Sequence, residues 1–255
     1  MCTVSYIPLN KGAILTSNRD EHISREIAIY PDFYVLNGKN LVFPKDAKAG
    51  GTWFISNEQG DTGVLLNGAF EKHIPAPGYR KSRGLVLPEI FQWDSPFQAL
   101  KGYDLSGIEN FTIILWEREQ LREIKWDGKG LRSRILDPGK AQMWSSVTLY
   151  DENMIIERLG WFNDWVQSHE AVTQQDILNF HANTHINNKE YGLRITRDNK
   201  ISTTSITSLS LDNKKATLYH KDFIQNIEST LEYNLLLIRH ITSPTINNSE
   251  IVQKN

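Results

Sequence analysis

Among the 255 residues there is one cysteine, at position 2. This excludes an internal disulfide and any zinc site built from cysteine ligands. A surplus of positive charge is missing too. The formal net charge is −2, without the basic excess by which a general nucleic-acid binder neutralises phosphates. No apolar run approaches the roughly 20 residues of a membrane span; Leu235-Leu236-Leu237-Ile238 is far too short. The opening residues lack the basic end and apolar stretch of a secretory signal, so the expected location is the cytoplasm. Neither a phosphate-binding glycine loop nor a G-x-S-x-G elbow occurs. What is present is 40% hydrophobic residues and seven Trp, enough for a sizeable globular core.

The single cysteine stands where removal of Met1 would make it the N-terminal residue. Methionine aminopeptidases clip Met before small residues, cysteine included. The product carries a thiol, the strongest side-chain nucleophile near neutral pH, and an α-amine of pKa about 7.7–8.0 that can act as general base. Cys2 to Pro8 reads as a strand, Asn10-Lys11 as a turn and Ala13 to Ser17 as a second strand. If Asn10 and Lys11 are the two loop residues, Leu9 pairs with Gly12 and Cys2 lies across from Arg19, with β-carbons roughly 4.5–5.5 Å apart. Asp20 then falls beside the chain terminus. A slip of the loop would move the partner to Asn18 or Asp20.

Farther on, Arg25 to Tyr34 has strand character, Asn37 to Asn40 is a turn, and Leu41 to Pro44 is a short strand. Gly50-Gly51 allows a sharp bend. Thr52 to Ser56 and Thr62 to Leu66 form a hairpin through Asn57-Glu58-Gln59-Gly60-Asp61, and Asn67-Gly68 terminates its second strand. Glu71 to Arg83 is a loop. A helix begun at Pro88 is expected within Gly84 to Trp93, and a short one capped by Ser95-Pro96 ends at Gly102. Phe111 to Trp116 and Leu121 to Trp126 form another hairpin, followed by an irregular stretch to Ser146. Asp151 caps a helix with Ile155, Leu159, Phe162 and Val166 on its apolar face, Ile156 and Trp165 beside them. Thr173, with Asp176, caps a second. Lys200 to Leu209 and Lys215 to Tyr219 are strands, and Asn234 to Ile241 a last one. This order predicts an α+β fold, a single domain over residues 1–241 and a disordered tail over 242–255. His181 and His185 have i, i+4 spacing, but H-E-x-x-H lacks its Glu, so a helix end with two solvated histidines is expected and no metal. Trp161, Phe162 and Trp165 read as core.

Several segments together carry a family resemblance. Met1-Cys2-Thr3 with Ser17-Asn18-Arg19-Asp20-Glu21, Gly50-Gly51-Thr52-Trp53, Leu65-Leu66-Asn67 and Ser202-Thr203-Thr204-Ser205 resemble the NRDE family, which includes the transport and Golgi organisation proteins. The resemblance implies the four-layer αββα sandwich of N-terminal nucleophile hydrolases and a likeness to cysteine-type penicillin and bile-salt acylases. It implies Cys2 as nucleophile, Arg19 lowering the thiol pKa, Asp20 orienting the α-amine, and Asn67 with the Gly68 N–H as oxyanion donors. Asn18, Ser146 and Arg194 (or Arg197) are the further expected substrate contacts. The acylases have a second asparagine in mid-chain, where this sequence has Trp144-Ser145-Ser146-Val147. The expected activity is hydrolysis of a non-peptide amide C–N or related acyl bond through a thioester on a small-molecule substrate, with no cofactor. The alternative is a non-catalytic carrier of haem or a lipid-like ligand, which the missing asparagine favours.

Overall fold

Side-chain alternation along the first hairpin decides the layering. In the computed structural model, which describes residues 2–236, β1 (Cys2–Leu9) and β2 (Gly12–His22) pair antiparallel with Leu9 opposite Gly12 and Cys2 opposite Arg19. This is the register a two-residue loop dictates. Val4, Tyr6, Ala13 and Leu15 enter one apolar cluster, whereas Ile7 and Ile14 enter another on the opposite face. Both faces of this hairpin are therefore buried, which explains why its strands carry few exposed positions.

The next elements are β3 (Ile29–Leu36), β4 (Lys39–Lys45), β5 (Phe54–Asn57), β6 (Thr62–Asn67), α1 (Val86–Ile90) and α2 (Pro96–Lys101). After them come β7 (Phe111–Glu117), β8 (Gln120–Trp126), β9 (Leu131–Leu136), β10 (Gln142–Ser145), α3 (Glu152–Gln167) and α4 (Gln174–Asn183). The described chain closes with β11 (Thr196–Arg197), β12 (Ile201–Leu211), β13 (Lys215–Asp222) and β14 (Ile227–Asn234). One sheet runs β10-β1-β2-β12-β13-β14, with β11 on β12, and the other runs β3 through β9 in order. Between them Val4, Tyr6 and Leu15 meet Phe54, Val64, Leu66 and Ile114; each large side chain so buried contributes about 1.5–3 kcal/mol. Val86, Leu87, Ile90 and Leu100 cover the outer face of the second sheet, and Phe162, Ile177 and Phe180 cover that of the first. The result is the expected four-layer αββα sandwich.

Several boundaries differ from expectation for local reasons. α1 begins before Pro88, after a 3-10 turn over Arg83–Leu85; in a first helical turn proline forfeits no needed N–H. The stretch before Ser146 contains two strands, β9 and β10. Asp151 and Thr173 cap α3 and α4, the latter with the full capping box. Ile156 points to solvent. Of the strand expected over Asn234–Ile241, Asn234 ends β14; residues 237–241 and the tail lie outside the described residues. No helix among the described residues is long and apolar enough to cross a membrane.

Candidate functional site

Cys2 and Arg19 face the space between the sheets, at the end of β1 where the inter-sheet core gives way to a cleft of about 390 Å³. Their cross-strand pairing sets them side by side. The Arg19 guanidinium lies 4.5 Å over the Trp53 ring and its Nη2 is 2.8 Å from Asp46 Oδ2. Asp46 also takes Arg25 through Nε at 3.1 Å and Nη2 at 2.9 Å. Burial works to raise the Asp46 pKa, but hydrogen bonds from Arg25 and the Ala49 N–H, together with the Arg25 and Arg19 charges, win and hold this carboxyl below the usual range. Glu21 adds a second carboxylate 3.7 Å from Arg19. Arg19 is thus held rigidly, by stacking and by charge, beside the thiol.

The Gly-Gly-Thr-Trp segment supports this from the second sheet. A β-carbon on Gly51 would stand 2.4 Å from the Gly84 carbonyl carbon, so only glycine lets the two loops touch. Thr52 N–H then donates to Gly84 O at 2.9 Å, and the Thr52 hydroxyl bonds Phe54 O at 2.8 Å. That fixes Trp53 beneath Arg19. The opposite wall carries Lys81, Arg83 and Glu109, with Arg83 3.0 Å from Glu109 Oε2.

Asp20, one residue on, projects to the other side of β2 and is fully buried. Thr203 Oγ1 donates to Oδ1 at 2.6 Å and Tyr150 OH to Oδ2 at 3.0 Å. The Thr203 oxygen already accepts from Ile195 N–H, so its proton is free for Asp20. Burial pushes the Asp20 pKa up, while Thr203, Arg158 and Tyr150 oppose it. A break in the β2–β12 register between Thr203 and Ser205 leaves Thr204 as an inserted residue. Its hydroxyl accepts from Arg19 Nη1 at 3.5 Å and donates to Arg19 O at 3.1 Å. The Ser-Thr-Thr-Ser segment therefore serves both faces of β2.

Asn67 lines the same cleft, and among the described residues its carboxamide makes no hydrogen bond. The other expected contacts are placed differently. The Gly68 N–H is spent on Asn110 O at 3.0 Å and is not an oxyanion donor. Ser146 N–H bonds Cys2 O at 3.0 Å, but its hydroxyl is committed to Asn67 O at 2.8 Å; it ties the ends of β1 and β6 together and does not line the cleft. Asn18 turns its carboxamide away, donating to His181 O at 3.1 Å and Leu193 O at 2.6 Å. Arg194 lies over Phe223, in a different pocket. Arg197 donates to Leu149 O at 2.7 Å, outside the cleft.

His181 is fully buried, in place of the solvated helix end expected, and α4 stops at Asn183, so His185 is off the helix and stacks 3.9 Å from Trp161. Because Asn18 must direct its NH₂ at two carbonyls, its oxygen faces His181 Nδ1 at 3.1 Å. Nδ1 therefore carries the proton, and Nε2 accepts from Ser5 Oγ at 2.7 Å. Burial, helped by the Arg158 charge, lowers this imidazole to about 3.

Sequence reasoning missed Asp46, Arg25, Tyr150, Ser17 and Arg158. Ser17 is fully buried on the face of Cys2 and Arg19, with no hydrogen-bond partner for its hydroxyl among the described residues. Burial raises the Cys2 pKa, Asp20 adds to this, and Arg19 and the nearby Ser17 hydroxyl counter it. Arg158, fully buried, donates to Tyr191 O at 2.7 Å, Gly192 O at 2.8 Å and Ser145 Oγ at 3.1 Å, and also to Thr3 Oγ1. One signal was present for it: Arg158 falls between Ile155 and Phe162 on the apolar stripe of α3.

Two antiparallel sheets packed face to face, helices outside both and a cysteine opening the first strand define the N-terminal nucleophile hydrolase fold. Similar solved structures agree. A Caenorhabditis elegans N-acylethanolamine-hydrolyzing acid amidase ortholog matches with TM-score 0.57 and 11% identity, over 82% of this chain and 92% of that one. A mutant of conjugated bile acid hydrolase from Clostridium perfringens matches with TM-score 0.52 and 10% identity, over 94% and 100%. The chain belongs to the transport and Golgi organisation 2 family, whose model matches residues 3–233. A search of curated protein sequences gave no match.

Proposed function

We propose that the protein, once Met1 is removed, is an N-terminal cysteine hydrolase of a non-peptide amide C–N or related acyl bond. The observation that carries this reading is the Cys2–Arg19 cross-strand pair at a cleft, with Asp20 buried directly behind it. The α-amine of Cys2 takes the thiol proton, and the sulfur attacks the substrate carbonyl carbon. Negative charge developing on the carbonyl oxygen is met by the Asn67 carboxamide. The C–N bond breaks, the leaving nitrogen receives the proton held by the amine, and an S-acyl thioester remains. Water, deprotonated by the same amine, cleaves the thioester to a carboxylic acid and restores the thiol. Asp20, with both oxygens accepting hydrogen bonds, supports the charged form of the amine. Arg19 stabilises the thiolate and, through the Asp46 and Trp53 contacts, stays in place to do so. The charged lining suits a small polar acyl substrate.

The carrier reading, with haem or a lipid as cargo, draws on the reduced oxyanion site: Gly68 and Ser146 are committed elsewhere, which leaves Asn67 alone. The test is to incubate the protein with a p-nitrophenyl acyl ester, quench in acid and measure the mass of the peptide beginning at Cys2. An acyl adduct on wild type and none on Cys2→Ala is the expected result. Turnover surviving in Cys2→Ala, or an active protein that retains Met1, rules out the mechanism. Absence of any adduct together with a saturable haem absorbance change would favour the carrier.

A further inference from the structure

The helix side of the first sheet holds a second pocket, of about 370 Å³, between α4 and the β12–β13 strands. Of the two cations in its lining, Lys221 is paired with Glu228 and Arg194, among the described residues, is not. The Arg194 guanidinium packs 3.9 Å over the Phe223 ring, which fixes the plane of the fork while leaving its N–H groups unspent. Among the described residues no hydrogen bond or ion pair engages that guanidinium. Partial burial, which lowers its pKa, therefore removes water from the charge without supplying a counter-charge.

Exposed carboxamides surround it. Gln175 Nε2 binds Asn179 Oδ1 at 3.0 Å, which occupies the oxygen of that carboxamide and leaves its NH₂ available. Asn183 and Asn226 line the pocket with carboxamides that bond nothing else among the described residues. The one carboxylate in the lining, Glu228, is taken by Lys221 at 2.6 Å. The C-terminal turn of α4 mildly opposes an anion, an effect that salt screens; a bidentate guanidinium contact is the stronger term.

We infer that this pocket is an oxyanion-binding site, separate from the Cys2 cleft, in which Arg194 grips a carboxylate or phosphate group through both arms of its fork. The Leu193 carbonyl beside it accepts from Asn18 at 2.6 Å, so the site backs onto the strand that carries Arg19.

The test titrates the full chain with inorganic phosphate and, separately, acetate, each against chloride at equal ionic strength, while the arginine Nε–H resonances are followed by NMR. A saturable shift of the Arg194 signal, with a dissociation constant on the order of millimolar, is expected. Arg194→Gln should weaken it at least tenfold, read from any remaining pocket amide, and Cys2→Ser should leave it unchanged. Saturation by phosphate alone assigns a phosphoryl group, and by acetate alone a carboxylate. Arg194→Gln melts must match wild type in chloride, as its part-exposed position predicts; Arg194→Lys, which keeps the charge and loses the fork, gives the second comparison and should bind more weakly than wild type. No saturable response to either anion, or an equal response in Arg194→Gln, overturns the assignment.

Discussion

Replacing His181 by Gln should flatten the acid dependence of stability. Folded His181 is neutral, with its pKa lowered to about 3 by burial and by Arg158, whereas in the unfolded chain it titrates near 6.5. Between these values the unfolded state binds the extra proton. Stability is therefore full above the unfolded pKa and is lost as pH falls towards the folded one. From pH 7 to pH 5 the loss is about 2 kcal/mol for this residue. His220, lowered to about 4 by burial and by Arg19, adds a similar loss over the same interval. Glutamine can accept from Ser5 and donate to Asn18 without titrating. Urea melts of wild type and His181→Gln at the two pH values isolate the effect, because every other group cancels in the difference. The variant should lose about 2 kcal/mol less than wild type between pH 7 and pH 5. Equal losses would mean that His181 is protonated or exposed in the folded protein, and would refute the tautomer assigned through Asn18.

Further outcomes follow from other contacts. Ser17→Ala should raise the Cys2 thiol pKa, seen as an alkaline shift in the pH profile of alkylation, with Ser17→Thr restoring it; an unchanged profile removes Ser17 from the site. Gly51→Ala forces a β-carbon against the Gly84 backbone and should cost about 1–3 kcal/mol in denaturant melts, with weaker substrate binding; a neutral result would show that the two loops separate freely. Arg158→Met leaves two carbonyls and two hydroxyls without their donor and should destabilise by about 3 kcal/mol, whereas wild-type stability would mean that water replaces the guanidinium at no cost.

The hairpin register was legible because loop length fixes pairing locally, and the caps of α3 and α4 because capping is a matter of four consecutive residues. Strand β9 was not. Its sequence Leu131-Arg132-Ser133-Arg134-Ile135-Leu136 has exposed polar centres and exposes Ile135, so alternation gives no inward face. Within the site, Cys2 and Arg19 could be joined from spacing, but Asp46 and Tyr150 reach the Asn-Arg-Asp-Glu strand from 27 and 130 residues away. No local pattern encodes contacts of that range. His181 was misplaced for a related reason: helical spacing puts a histidine on a face, but only the Ser5 and Asn18 partners on another element make burying it tolerable.

The alternation of β2 makes its four-residue signature two interleaved signatures. Asn18 and Asp20 answer to the helical layer and the bulge of β12, while Arg19 and Glu21 answer to the cleft. Within the same four residues, one pair therefore lines the cleft and the other is buried in the packing behind it. Altering residues 19 and 21 and their partners would recast the lining of the cleft with the helices untouched. A helix substitution that disturbs Asn18, by contrast, would reach the cleft as a change in the alignment of β2, with every lining side chain still present.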